Sequence, residues 1–248
     1  EVYGTFVLGE NTDISSWNSS AATVTVPVSS SWYSQDNAGV DGDLYIYGDY
    51  HIGTTTEYWS ATTDFDGAVV PSRTVSVAVA SGSVVTLENT GPLNIIGTVD
   101  SATTSISTQG SGTFTWLATG GTLNADAYEV TNLDINGLQL LGNTSVTSLS
   151  NGSFTQNADN QTLITLASTT LNANAGLTVI NTGFATGGQT GGGNVSLDAT
   201  TTNSWSFTGA IGDLWGESFD VDGTDDCSSI RWDDSSCLLT EQTDYRWR

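Results

Sequence analysis

The chain has 248 residues, no lysine or methionine, and a formal charge of −23, with 27 acids set against Arg73, Arg231, Arg246 and Arg248. Phosphate binding needs clustered cations that displace counter-ions, so nucleic acid is excluded as a partner, as is basic adhesion to an anionic membrane. Charged residues are only 12% of the chain, while eight Trp, eight Tyr and seven Phe supply material to bury, which excludes a disordered acidic tail.

In chain order, residues 1–73 are aromatic-rich, with Trp17, Trp32, Tyr33, Tyr45, Tyr47, Tyr50, Tyr58 and Trp59. Thr23-Val24-Thr25-Val26 alternates as a half-buried strand does, and Pro27 ends it. Leu44-Tyr45-Ile46-Tyr47 is a second strand, bracketed by Asp41-Gly42-Asp43 and Gly48-Asp49. This stretch is expected to be an N-terminal cap that keeps the first coil of a rod from exposing an apolar end.

Residues 74–216 carry a regular rhythm. Apolar runs such as Val75 to Ala80, Leu93 to Ile96, Phe114 to Leu117, Leu138 to Leu141 and Leu163 to Leu166 alternate with breakers such as Gly110-Ser111-Gly112, Gly120-Gly121 and Asn151-Gly152. The phrase Thr122-Leu123-Asn124-Ala125-Asp126-Ala127 returns as Thr170-Leu171-Asn172-Ala173-Asn174-Ala175, 48 residues on. Two coils of about 24 residues each fit that offset, a usual length in a parallel β-solenoid. Leu93 to Thr98 and Leu138 to Asn143 read as one strand and corner repeated. Helix is the rival over Leu163 to Leu177, but Thr165, Thr169 and Thr170 are poor helix formers, so strand is expected throughout. The fold class is therefore all-β, a parallel β-solenoid or β-helix, with an antiparallel β-sandwich as the alternative. In such a coil like side chains stack on like, and stacked charges repel, in keeping with the scarcity of charge between Gly110 and Asp198.

Residues 217–248 break the rhythm. Asp220-Val221-Asp222-Gly223-Thr224-Asp225-Asp226 concentrates acid before Cys227 and Cys237. An even cysteine count at close spacing, with an extracellular composition, points to one disulfide, against two free buried thiols. Zinc is improbable with His51 as the only histidine. The segment is expected to be a disulfide-closed C-terminal cap or the start of a further module. The opening Glu1-Val2-Tyr3-Gly4 and the closing Tyr245-Arg246-Trp247-Arg248 read as products of processing.

Three segments, Gly42-Asp43-Leu44-Tyr45-Ile46-Tyr47-Gly48-Asp49, Ser148-Leu149-Ser150-Asn151-Gly152 and Ile230-Arg231-Trp232-Asp233-Asp234-Ser235, resemble large secreted β-solenoid surface proteins of uncultured bacteria. The resemblance runs through residues 40–248 and implies a cell-surface role with no active site to carry over.

Candidate chemistry is sparse. β-Helical lyases need basic residues that this chain lacks, and hydrolases need paired carboxylates at set separations. Asp64 with Asp66, or Asp225 with Asp226, are the nominees, but adjacent strand residues point to opposite faces. A Ser-His-Asp set would have to use His51. No enzyme activity is expected. Calcium is the expected cofactor, if any, on Asp220, Asp222, Asp225 and Asp226, with Asp36, Asp41 and Asp43 as a weaker second set. Sequons at Asn18, Asn143, Asn151, Asn160 and Asn194 fit glycosylation. Rod ends are templates for further pairing, so the expected function is an extracellular subunit of a surface filament or adhesive stalk, binding itself head-to-tail through Trp17, Trp32, Tyr45, Tyr47 and Trp247. A monomeric glycan-binding adhesin module is the alternative, and a polysaccharide-active enzyme the third.

Overall fold

The computed structural model describes residues 75–88, 90, 92–98, 103–222 and 227–233, together with the backbone of strands within residues 6–60. Every pairing between its strands is parallel, which rules out the hairpin-linked sandwich. In the regular part of the rod each strand pairs with the one three places along the chain, so the backbone winds as a three-sided β-solenoid. The first sheet has eight strands, ending with Phe114–Ala118, Leu133–Leu140, Thr162–Leu166 and Gly193–Leu197. The second has seven, ending with Tyr128–Thr131, Ser153–Thr155 and Gly183–Ala185. The third has five, ending at Ser145–Ser150, and is followed by a three-stranded sheet of Thr178–Ile180, Trp205–Thr208 and Ile230–Trp232.

Residues 1–73, expected as a cap, supply strands to these same sheets. Thr23–Val26 pairs with Asp43–Ile46, and Ser31–Ser34 with Asp49–Ile52, which in turn pairs with Val84–Leu87. The coil length is not constant. One step along a sheet ranges from 18 residues, Trp32 to Tyr50, to 36, Glu57 to Leu93.

That variation corrects the repeat. Thr122–Asp126 is a strand of the third sheet, paired with Pro92–Ile96 on one side and Ser145–Ser150 on the other. The second copy of the phrase instead lies across an α-helix, Ser168–Ala173. Strand throughout Leu163 to Leu177 was the wrong expectation: Thr162–Leu166 is strand and the helix follows. Leu93 to Thr98 and Leu138 to Asn143 are not copies either, since Pro92–Ile96 belongs to the third sheet and Leu133–Leu140 to the first.

Tertiary contacts override the poor helix propensity. Leu171 is fully buried, Asp198 of the next coil accepts from the Ser168 N–H at 2.7 Å, and Thr169 and Thr170 donate to Gly142 O. The helix interrupts the ladder, and the Asn174 side chain replaces the missing peptide. Its Oδ1 accepts from the Val146 N–H at 2.8 Å while its Nδ2 donates to Thr144 O at 2.7 Å.

The core is a set of columns parallel to the rod axis. Val85, Trp116, Leu138, Ile164 and Val195 succeed one another in register in the first sheet, and Val77, Ile106, Val130, Phe154 and Phe184 in the second; all are buried. Toward the C-terminal end the second column becomes an aromatic spine. Tyr128, Phe154 and Phe184 lie 5.6 and 6.1 Å apart, and Phe184 meets Phe207 and Trp232 at 5.9 and 5.6 Å. Polar residues also stack on their own kind, Asn94 with Asn124, Asn151 with Asn181 and Asn172 with Asn203, each joined by a side-chain hydrogen bond.

Replacing Asn174 by Ala removes the surrogate peptide and leaves two backbone groups without their partner. The expected cost is about 2–3 kcal/mol, read as a fall in the urea midpoint. Burial pushes the Tyr128 phenol well above its usual range, against a smaller opposite effect of Thr182. A raised folded pKa means that this group stabilises the fold fully below the unfolded value of about 10 and loses that contribution as pH rises further. Tyr128→Phe loses the bond to Leu149 O, so it is expected to be less stable by about 1 kcal/mol at neutral pH. The gap closes, then reverses, in denaturation measured above about pH 10.

Candidate functional site

A stack of parallel strands has two ends, and each end strand offers unpaired N–H and C=O groups. The C-terminal end is the one whose side chains are described. Here the three sides stop being regular strands. Gly193–Leu197 receives a single bridge from Val221, whose N–H donates to Val195 O at 2.8 Å and whose carbonyl accepts from Leu197 N at 2.9 Å. Gly183–Ala185 receives a single bridge from Ile211, whose carbonyl accepts from Phe184 N at 2.8 Å. Ile230–Trp232 is the last strand on the third side.

Local chemistry explains why the chain turns here. Gly212 adopts φ 106°, and a Cβ there would sit 2.1 Å from Phe184 O, so only glycine passes this close to the coil below. Asn194, completely buried, donates from Nδ2 to Leu214 O at 2.8 Å and Gly216 O at 3.0 Å, and so anchors the loop from beneath. The short 3₁₀ turn Glu217–Phe219 follows. Glu217 Oε1 accepts from the Cys227 N–H at 3.0 Å, and Asp220 Oδ2 accepts from Trp232 Nε1 at 2.7 Å.

These anchors point inward and leave apolar side chains outside. Ile211 is 64% exposed, Val221 57%, Trp215 38% and Phe219 36%. Among the described residues, Ile211 and Val221 also supply the last backbone bridges on two of the three sides. Among the described residues, apolar surface therefore coincides with the last bridges of two sheets. That combination favours association with another strand-bearing surface.

The residues singled out from sequence fare unevenly. Asp220 and Asp222 were expected as calcium ligands; both are buried, and Asp220 accepts from the Trp232 indole. Asp225 and Asp226 lie outside the described residues, and no group of three His, Cys, Asp or Glu able to hold a metal occurs among those described. Of the weaker calcium set, Asp36 and Asp41 lie outside them and Asp43 opens a strand in register with Thr23. Cys227 is half-buried at the Glu217 turn, and Cys237 lies outside the described residues. Asn143 and Asn160 are exposed at turns, Asn151 is part of a corner ladder, and Asn18 lies outside the described residues. Asn194 is a correction: its amide nitrogen is committed to two carbonyls in the interior, where a glycan has no room. Trp32 and Tyr45 sit on strands with a neighbour on both sides rather than at a rod end, and Trp17, Tyr47 and Trp247 lie outside the described residues. His51 stands in register with Tyr33 and Thr86, and Asp64 and Asp66 lie outside the described residues.

The residues that shape the end, Asn194, Ile211, Trp215, Phe219 and Val221, were not singled out for it from sequence. Their one signal was large apolar residues scattered among Gly, Asp and Glu over 211–221 with no two-residue alternation. Compared with protein-family models, with curated proteins and with solved structures, the chain matches none.

Replacing Asp220 by Ala leaves the Trp232 indole N–H buried without that acceptor. We expect a loss of about 2–3 kcal/mol, measured by chemical denaturation.

Proposed function

We propose that the chain is an extracellular, non-enzymatic structural subunit that associates end to end, as part of a surface filament or an adhesive stalk. The observation that carries this reading is that exposed Ile211, Trp215, Phe219 and Val221 cluster at the last bridges of two sheets among the described residues. The opposite end begins with Phe6–Val7, Thr23–Val26 and Ala38–Val40, the first strands of the three sheets. A second copy placed head to tail continues each sheet with the same parallel polarity, and a contact that does not close on itself grows into a filament. The resemblance to secreted β-solenoid surface proteins agrees with that location, and no helix among the described residues is long and apolar enough to cross a membrane.

Charge shapes how such contacts form. Two copies at −23 repel one another, so association is expected to strengthen as salt screens them. Calcium enters as the counter-ion for the acid-rich 220–226 segment. Its signature would be loss of association on chelation at constant ionic strength.

Negative-stain imaging and sedimentation of the full chain over rising concentration test the proposal. Linear assemblies are expected, and the double variant Ile211→Asp, Val221→Asp is expected to weaken them by about tenfold or more. Dispersed single particles at high concentration and high salt would overturn it. A glycan-binding module is the second reading, favoured by partly exposed Trp215 and Phe219, whose rings suit sugar stacking. Glycan-array binding lost on Trp215→Ala would support it.

A further inference from the structure

The dipeptide Asn-Gly occurs at Asn136-Gly137 and at Asn151-Gly152; both glycines are buried, but the fold treats the two asparagine side chains differently. In this dipeptide the side-chain amide carbon reaches the next backbone nitrogen, and glycine has no Cβ to hinder the approach. We propose that Asn136 is a site of spontaneous deamidation and that the fold suppresses the same reaction at Asn151.

The backbone nitrogen of Gly137 attacks Asn136 Cγ and forms a C–N bond. That nitrogen gives up its proton and the side-chain nitrogen departs as ammonia, leaving a five-membered succinimide. Water then adds to one of the two ring carbonyls, the ring C–N bond at that carbon breaks, and residue 136 becomes aspartate or isoaspartate. Water is the only co-reactant, and nothing is oxidised or reduced.

Asn136 lies on a bulge. Phe114 pairs with Leu133 but Trp116 pairs with Leu138, so residues 134–137 loop out of the first sheet. Buried Gln161 holds the base of the loop by donating to Leu133 O and Asp134 O at 2.9 and 2.8 Å. The Asn136 backbone is held as well, its N–H donating to Asp134 Oδ1 and its carbonyl accepting from Thr165 Oγ1. Its side chain is exposed and makes no hydrogen bond among the described residues, so Cγ is free to turn toward the Gly137 nitrogen.

Asn151 is tied on every side. Its Nδ2 donates to Asp126 Oδ1 at 2.7 Å, its Oδ1 accepts from Asn181 Nδ2 at 3.2 Å, and its N–H donates to Ile180 O at 2.7 Å. Gly152 is buried against the Tyr128 ring, with its carbonyl accepting from Gly183 N at 2.8 Å. Ring closure at Asn151 has to break both side-chain bonds first. Conversion at 136 places a second carboxylate two residues from Asp134. In the isoaspartate product it also lengthens the main chain by one methylene, loosening the grip of Asp134 and Thr165 on the bulge.

The test is peptide mapping by mass spectrometry of the full-length protein, aged at mildly alkaline pH, with aspartate and isoaspartate products separated by chromatography. Conversion at Asn136 is expected about 30-fold faster than at Asn151, the factor implied by two ordinary side-chain hydrogen bonds. In denaturant the two rates are expected to converge, because the dipeptides are then equivalent. Asn181→Gly is expected to raise the rate at Asn151 and leave Asn136 unchanged; Gly209 holds the positive-φ corner position in the next coil, so the backbone accepts glycine there. Equal native rates, a faster native rate at Asn151, or no native conversion at Asn136 while the denatured chain converts both would each overturn the proposal. The comparison of native with denatured wild-type protein stands even if the variant fails to fold.

Discussion

Everything in this rod depends on one constraint: each inward side chain rests on the residue at the same register position one coil away. Parallel pairing enforces it, because successive strands run in the same direction and their side chains alternate in step. A column therefore tolerates only neighbours of compatible shape. Val85, Trp116, Leu138, Ile164 and Val195 satisfy it with different volumes, all of them buried. The spine from Tyr128 to Trp232 meets the same demand with rings, some stacked and some edge-on.

The polar residues obey it too, which is why the chain spends so much Asn, Thr and Ser. Corner residues face the corner of the next coil, and amides satisfy one another there without net charge. The ladder from Asp126 through Asn151 to Asn181 carries one carboxylate and then amides. An all-carboxylate ladder would accumulate repulsion at every step. Asn174 shows the same logic applied to a fault: where the helix removes a peptide from the ladder, an amide side chain supplies the donor and acceptor.

The constraint relaxes where the regular strands give way to single bridges. Interior coils are paired above and below, whereas the coil of Ile211 and Val221 carries only single bridges among the described residues. Asn194, Glu217 and Asp220 hold its loop in place through buried and part-buried hydrogen bonds, and Ile211, Trp215, Phe219 and Val221 remain exposed. The proposed end-to-end association rests on this arrangement, since a rigid, prearranged edge is recruited at little cost in ordering.

The alternation of short apolar runs with Gly and Asn breakers was enough to specify the parallel β-solenoid, because strand length, corner chemistry and the lack of interior charge are local properties. The order of stacking was not local. Thr122 to Ala127 and Thr170 to Ala175 are nearly the same phrase, yet the first is a strand paired on both sides and the second spans a helix engaged by Asp198 and Gly142. With coil steps between 18 and 36 residues, a fixed period pairs the wrong segments. Burial of Asp220 and Asn194 was equally hidden: their partners Trp232, Leu214 and Gly216 lie 12 to 22 residues further along the chain and become neighbours only when the chain folds back. Sequence alone determined the kind of rod, through the conformational preferences of a few residues at a time. Which residue stacks on which, and what faces outward at the end, was decided by tertiary structure, because insertions at the corners set the register and register sets every contact.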